Sequence, residues 1–390
     1  MIRRKVCAWL VSALLLASII PATSATNGTL PYTAILVSDN EADLTLAQRL
    51  GEALNASVIV TPWGVYDPGV TAEIISTAPD KVLIIGGPAA VPRNYEDDLN
   101  EMEIGWVRIW GNDRYETNIQ VLQYILENYP ELLEGTKIVI AHGRDIGAIK
   151  KAEIEKAFPI YVDANRTENQ TQILATIRVT SVVIIKTPYS ENITERVRNE
   201  IRNRVRANIT DEQANITAEI VWEAIEIAEN KTLLARKLLE NSTTTLPAAE
   251  RLLELATKEI ERAREAYQSG NYGEAYGQAI AAKAHAEGVI RMASEQIQLA
   301  LKTNQTLRVR VRIEKLSSII ERFESIGLNM TEEKGLLEKA REAYEKGNYQ
   351  EAEQLLNQLR NMVRERFHGE KLMIRERWRE RIGAPIASRP

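Results

Sequence analysis

The chain contains 390 residues, enough for two or three domains that each bury a core of their own. Its formal net charge is -5 and its pI is about 5.6, so no global basic field favours nucleic acid as a partner. The single cysteine, Cys7, lies in the amino-terminal leader. Disulfides, thiolate metal sites and cysteine nucleophiles are therefore excluded from the mature protein.

Residues 1–25 have the pattern of a secretory signal peptide. Arg3, Arg4 and Lys5 precede an apolar run over 6–20, and small residues then lead to a predicted cleavage near Ala25. The apolar run is shorter than the roughly 20 residues that span a bilayer, so we expect membrane attachment only if the leader is retained as an anchor. The sequence thus predicts a secreted protein associated with the cell surface.

Eleven Asn-x-Ser/Thr sequons are spread along the chain, more than chance gives. In an exported protein this excess predicts a glycosylated exterior. Asn-x-Thr also makes good helix caps, and several sequons stand at predicted helix starts, so a capping role is the alternative. The sequon residues are Asn27, Asn55, Asn165, Asn169, Asn192, Asn208, Asn215, Asn230, Asn241, Asn304 and Asn329.

The amino-terminal half alternates short β-branched runs with helical patterns. Strands are predicted at 33–38, 57–62 and 81–88, with a helix at 41–54. The same order returns at 137–143, 158–163 and 181–188, about one hundred residues later. Apolar strands separated by helices indicate a parallel sheet covered on both faces. We therefore predict a duplicated α/β unit over residues 30–206.

A polar segment follows the third predicted strand. Gly86 and Gly87 end that strand and allow a close backbone approach at the carboxyl edge of the sheet, where open α/β folds bind ligands. Further along, Gly111 can turn the chain, and Asp113 can cap a helix with Glu116 in capping-box register. The two arginines, Arg108 and Arg114, could pair with these acids, latch onto the neighbouring unit, or bind phosphate or uronate groups.

These residues resemble the cell-wall-binding repeat 2 family of clostridia, other Gram-positive bacteria and some archaeal secreted proteins. The matching positions are Ile85, Gly86, Gly87, Ala90, Val91, Arg108, Ile109, Gly111, Asp113, Arg114, Tyr115 and Thr117. The resemblance implies a Rossmann-like parallel sheet and non-covalent attachment to anionic wall polymers. It makes Gly86, Gly87, Arg108, Gly111, Asp113, Arg114, Tyr115 and Thr117 the candidate binding residues. The cysteine-free, sequon-rich composition is typical of an archaeal surface protein.

Catalytic signals are sparse. The three histidines, His142, His285 and His368, lack metal-binding spacing, and there is no nucleophile elbow or P-loop, so no metal or cofactor is expected. The best enzymatic candidate is AHGRD, where His142 and Asp145 follow a predicted strand. The equivalent segment of the first α/β unit contains no histidine, so the two units do not share a catalytic pair.

The sequence pattern predicts an all-α region over residues 211–382. AREAYQSGNYGEA (263–275) recurs as AREAYEKGNYQEA (340–352), with Gly270 as a helix stop and Asn271 as the next cap. This predicts repeated helical hairpins in a bundle or coiled-coil stalk. The turn resembles that of tetratricopeptide repeats, but the offset of 77 residues argues against an array. Residues 383–390 are predicted to be a disordered tail.

The combined expectation is a non-enzymatic surface protein that attaches through its α/β module and presents the helical region. The expected partner is an envelope glycan or a surface-layer (S-layer) protein, with homo-oligomerisation as a further possibility. Two alternatives stay open: a helical assembly scaffold whose α/β part oligomerises, and a glycan hydrolase that depends on His142.

Overall fold

The computed structural model describes residues 34–163, 170–202, 206–242 and 244–382. The predicted signal peptide, Asn27, Asn165, Asn169 and the predicted tail at 383–390 lie outside these residues. For Asn192 the backbone alone is described.

The first α/β unit is a four-stranded parallel sheet with the strand order β2-β1-β3-β4. Its strands are β1 (Ala34–Ser38), β2 (Ser57–Thr61), β3 (Lys81–Ile85) and β4 (Gly105–Ile109). Its helices are α1 (Glu41–Leu54), α2 (Pro68–Ser76), α3 (Asn94–Glu101) and α4 (Arg114–Asn128). The predicted helix at 41–54 is confirmed with the same bounds.

The second unit repeats this arrangement, with the order β6-β5-β7-β8 and all strands parallel. Its strands are β5 (Lys137–His142), β6 (Phe158–Val162), β7 (Ser181–Lys186) and β8 (Asn208–Gln213), and its helices are α5 (Ile146–Ile154) and α6 (Glu191–Arg202). Short 3-10 turns lie at Pro130–Leu132 and Gln172–Ala175. The predicted duplicated α/β fold is therefore confirmed.

The sequence did not predict the edge strands β4 and β8. NITDEQ carries a single apolar residue, and GWVRI begins with glycine and is interrupted by Arg108, so neither segment reads as a continuous apolar run. Since β8 is hydrogen-bonded to β7, the second sheet continues to Gln213, beyond the expected end at Arg206.

The two sheets share a core. Along β1, Ile35 and Val37 face this shared core, whereas Ala34 and Leu36 face the opposite side of the sheet. The shared core also contains Ile138, Ile140, Phe158 and Ile160 from the second sheet, so the two units pack together through apolar side chains.

The carboxyl-terminal part contains six helices within the described residues. They are α7 (Ala218–Glu240), α8 (Pro247–Gln268), α9 (Tyr272–Thr303), α10 (Gln305–Ser325), α11 (Thr331–Glu345) and α12 (Tyr349–Ile382). None of these described helices is long and apolar enough to span a membrane.

The predicted helical hairpins are confirmed. In the turns between α8 and α9 and between α11 and α12, Gly270 and Gly347 have φ values of 74° and 80°. The Asn271 amide donates to the Ala266 carbonyl at 2.8 Å, and the Asn348 amide donates to the Ala343 carbonyl at 2.9 Å. These bonds close both helices in the Schellman pattern, which explains why the turn sequence is repeated.

The helices pack on the sheets instead of standing apart as a stalk. The outer face of the first sheet is covered by α2 and α3 together with α10, α11 and α12, and residues such as Leu316, Ile320, Phe323, Leu356 and Phe367 join that core. Lys315 of α10 lies 2.7 Å from Asp98 and 2.8 Å from Glu101 of α3. The described residues accordingly form one compact unit.

Candidate binding cleft

The carboxyl edges of both sheets border one cleft of about 650 Å³. The segments that follow the strands supply its walls, so residues far apart in sequence meet there. A second recess of about 630 Å³ lies over α9, and the two share Trp63, Arg114, Arg144 and Tyr189 as lining residues. We call the two recesses together the carboxyl-edge cleft. Of the predicted binding residues, it includes Gly87, Gly111, Asp113, Arg114, Tyr115 and Thr117.

The glycine pair seats a tryptophan at the rim of the cleft. Gly86 has a φ of 119°, a conformation that strains any residue with a side chain. A Cβ on Gly87 would lie 2.9 Å from Cε3 of Trp110, so the indole packs directly on the Gly87 backbone. Trp110 is still 46% exposed and presents the rest of its ring to the cleft.

The polar segment before α4 is a rigid helix cap, as predicted. Asp113 accepts hydrogen bonds from the Tyr115 and Glu116 amides at 3.0 and 2.9 Å. Glu116 reaches back one residue further than the predicted capping box and accepts from the Asn112 amide at 2.9 Å. The Gly111 amide donates to Thr117 Oγ1 at 3.0 Å. The capping atoms therefore shape the cleft wall, and their hydrogen bonds are made within the protein.

Arg108 does not line the cleft, although the motif makes it a candidate ligand residue. Its side chain is only 5% exposed and is paired with Glu96. Its guanidinium also donates to the Gly86 carbonyl at 2.7 Å and the Val91 carbonyl at 2.9 Å. The position of Arg108 on the edge strand β4 turns it inward, so it holds the glycine loop in place.

Arg114 joins the two units and the helices. It donates to the Gly143 carbonyl of the second unit at 3.1 Å, and its guanidinium lies 3.6 Å from Glu287 of α9. This is the predicted contact between the two units. It also includes α9, which the sequence did not predict at this place. Lys283, also on α9, lies 2.6 Å from Glu41 and 3.1 Å from Glu287.

Burial sets the protonation of this charged cluster. Desolvation raises the pKa of the Asp43 carboxyl to about 7, although the nearby Arg114 opposes the shift. Burial also works against the ionisation of Glu287, but Lys283 and Arg114 outweigh it and hold the pKa of Glu287 below its usual value. Asp43 lines the cleft beside Arg114, and Glu287 lines the recess over α9.

His142 lies in the cleft, but Asp145 does not join it. The imidazole of His142 packs between the rings of Tyr115 and Tyr189, and burial lowers its pKa. Asp145 is fully buried and accepts from the Tyr276 and Ser190 hydroxyls, both at 2.8 Å, and from Thr187. It also caps α5 through the Ala148 amide. The Asp145 carboxylate therefore bonds to the second sheet, α5 and α9, and no hydrogen bond between the His142 and Asp145 side chains is present among the described residues.

The chain resembles a curated archaeal protein in sequence. MJ0755 of Methanocaldococcus jannaschii, an uncharacterized protein, is 31% identical over 271 residues, which cover 66% of this chain and 72% of MJ0755. The chain belongs to the MJ0755 family. No protein-family model matches it. Cwp6 from Clostridium difficile resembles it in structure with a TM-score of 0.37 and 19% identity, over 46% of this chain and 29% of that chain.

In this MJ0755-family protein, several residues that line the cleft were not among the binding residues predicted from the sequence. Trp63, Trp110 and Tyr189 each follow a strand, so the rule that ligands bind at carboxyl edges could have found them. Arg144 and Arg291 are exposed at the cleft, and Arg291 comes from the middle of α9. Nothing local in the sequence marks Arg291, because its place depends on how α9 packs.

Seven sequon asparagines of this family member have described side chains, and all seven are exposed: Asn55, Asn208, Asn215, Asn230, Asn241, Asn304 and Asn329. The capping alternative also holds for some of them. Asn304 caps α10 through the Leu307 amide at 3.1 Å, and Asn329 accepts from the Thr331 amide at 3.2 Å. Glycosylation requires an exposed asparagine, and these seven meet that requirement. Glycosylation itself stays a prediction at each site.

Proposed function

We propose that the protein is a non-enzymatic surface protein that holds an acidic envelope polysaccharide in its carboxyl-edge cleft. The observation that carries this proposal is the combination of Trp63, Trp110 and Tyr189 with the exposed Arg144 in one elongated cleft. The carbon-bearing face of a sugar ring is apolar and packs on aromatic rings. A guanidinium binds a carboxylate through two parallel hydrogen bonds.

The distribution of charge supports an acidic sugar. Lys283 is buried and paired with Glu41 and Glu287, so it serves the internal cluster. Arg144 and Arg291 are exposed and can contact a ligand from solvent. Acidic groups on the ligand would therefore meet the cleft at these two side chains. The predicted leader and the predicted sequons support a ligand that lies outside the cell.

The proposal is tested with the full mature chain and two polymers of matched length, polygalacturonate and uncharged dextran. We expect tryptophan fluorescence to change with polygalacturonate alone, and Trp110→Ala and Arg144→Ala each to weaken binding about tenfold or more. Trp222→Ala and Arg310→Ala are matched controls, because both residues are exposed on helices away from the cleft. Equal affinity for dextran, or unchanged binding in both cleft variants, would rule the proposal out.

A hydrolase at the same cleft is the second candidate. It is favoured by Asp43 and His142, which line the same recess, because burial raises the pKa of the Asp43 carboxyl to about 7, a value that suits a general acid. Release of reducing ends from polygalacturonate by the wild type, lost in Asp43→Asn, would favour this candidate. Binding without such release supports the non-enzymatic role.

A further inference from the structure

A separate cleft of about 630 Å³ lies at the amino edge of the first sheet. Its walls come from the end of α1, the start of β2, the end of α5 and the last turns of α12. None of its lining residues belongs to the carboxyl-edge cleft. The proposed function makes no use of this amino-edge cleft.

The sequon residue Asn55 lines the amino-edge cleft. It ends α1 in the left-handed conformation, with φ of 51° and ψ of 40°, and its side chain is exposed. Asn329, by contrast, lies in the loop between α10 and α11 and lines neither this cleft nor the carboxyl-edge cleft. A glycan on Asn55 would thus begin inside a recess, whereas one on Asn329 would begin on the open surface.

The other side of the cleft offers groups that suit a sugar. Trp378 supplies an aromatic ring, and Arg379 and Gln48 supply hydrogen-bond donors, whereas Arg375 is bonded to the Ala78 carbonyl and to Asp80. Nε of Arg49 is buried and has no hydrogen-bond partner among the described residues.

We infer that the amino-edge cleft binds the first sugars of a glycan carried on Asn55. The covalent bond keeps the sugar at high effective concentration, so weak contacts suffice to hold it in place. The seated glycan connects α1, which carries Asn55, with α12, which carries Trp378. It therefore fastens the last helix to the first α/β unit. This inference requires glycosylation at Asn55 and is independent of the ligand in the carboxyl-edge cleft.

The test is a double-mutant cycle on thermal unfolding with Asn55→Gln and Trp378→Ala, made in full-length protein from a glycosylating host and from a host without N-glycosylation. In the glycosylated protein we expect each single change to lower the midpoint by about 2–4 °C and the double change to lower it no further. Without glycosylation, Asn55→Gln should lower the midpoint only by the small cost of replacing Asn in the left-handed conformation, and the coupling with Trp378→Ala should vanish.

Asn329→Gln is the matched control, because its loss removes a glycan from the open surface and should not couple to Trp378. Mass spectrometry of the peptide that contains Asn55 accompanies the cycle. An unmodified Asn55 in the native protein overturns the inference, and so do additive effects of the two changes. Trp378→Phe should retain part of the coupling, which separates sugar contact from a general loss of packing at the end of α12.

Discussion

Asp145 organises the carboxyl edge of the second sheet through a single buried carboxylate. It accepts from the hydroxyls of Tyr276, Ser190 and Thr187 and from the α5 amide of Ala148. Tyr276 in turn accepts from the Gly147 amide at 2.8 Å, so α9 is tied to the start of α5. A buried acceptor that serves several donors is difficult to replace, because every donor is left unsatisfied when it is removed.

We expect Asp145→Ala to destabilise the protein by about 3–5 kcal/mol, since it leaves several buried donors without an acceptor. Tyr276→Phe should cost less, about 1–3 kcal/mol, because it removes one hydroxyl from the network. Urea unfolding of both variants gives the comparison. Glu240→Gln, at the exposed end of α7, is the control. A Tyr276→Phe loss as large as that of Asp145→Ala would contradict the central role of the carboxylate.

Asp43 gives a prediction for pH. Its pKa is raised by burial from about 4 in the unfolded chain to about 7 in the folded protein, so the folded state binds more protons between these values. Its contribution to stability is therefore fully present below about pH 4 and is lost as the pH rises through about 7. The charged groups facing it are Arg114, Glu287, Glu41 and Lys283.

Asp43→Asn removes this titration. The unfolding midpoint of the variant, relative to the wild type, should rise steadily from about pH 4 to about pH 8, because the wild type alone pays the cost of ionising a buried carboxyl. Calorimetry across this range measures the difference, with Glu240→Gln as the control. A difference between variant and wild type that does not change with pH would show that Asp43 titrates normally.

At the scale of elements, the central strands and the edge strands β2 and β6 were predicted, whereas the edge strands β4 and β8 were not. β1, β3, β5 and β7 are buried on both faces, so they read as continuous apolar runs. The edge strand β8 reads as polar, because its residues are half-buried or exposed. The hairpin turns were predictable because Gly270 and Gly347 are required by their positive φ.

The hairpin turn between α11 and α12 offers a matched pair of glycine changes. Gly347→Ala should cost about 1 kcal/mol, because φ is 80° there and a side chain is strained in that region. Gly335→Ala, inside α11 with open space around the added methyl, should instead stabilise by up to about 1 kcal/mol. Chemical denaturation of the two variants should give shifts of opposite sign; shifts of the same sign would refute this account.

The candidate site was predictable in part, for a physical reason. The motif located Gly87, Asp113 and Arg114, because loops after buried strands meet at one sheet edge. It also suggested Arg108, which the structure turns inward onto Glu96 and the glycine loop. A sequence motif does not distinguish residues that contact a ligand from those that support the loop, since both are needed for the same shape.

At the scale of the whole molecule, the helical half completes the α/β half. Buried residues of α10, α11 and α12 share one core with β1, β3, α2 and α3. Lys315 lies only 9% exposed between Asp98 and Glu101. The sequence suggested two parts because strand and helix patterns change near residue 211. That change marks a difference in secondary structure and does not mark the end of a core.

We therefore expect the full chain to unfold in one cooperative transition. Removal of residues 305–390 should abolish cooperative unfolding of the first sheet, because its outer apolar face would be exposed to water. Calorimetry and circular dichroism follow the transition. As a point-mutant check, Lys315→Ala should destabilise by about 3 kcal/mol or more, since it leaves the buried Asp98 unpaired. Two separate transitions in the full chain would contradict this view.

The Gly86-Gly87 loop and the Trp110 rim have no counterpart in the second unit, where Lys186 and Thr187 occupy the corresponding positions. The duplicated halves meet as two different walls of a single cleft, with Arg114 of one bonded to Gly143 of the other. The duplicated units thus form one asymmetric cleft per chain, and under the proposed function a binding titration should saturate at a single equivalent.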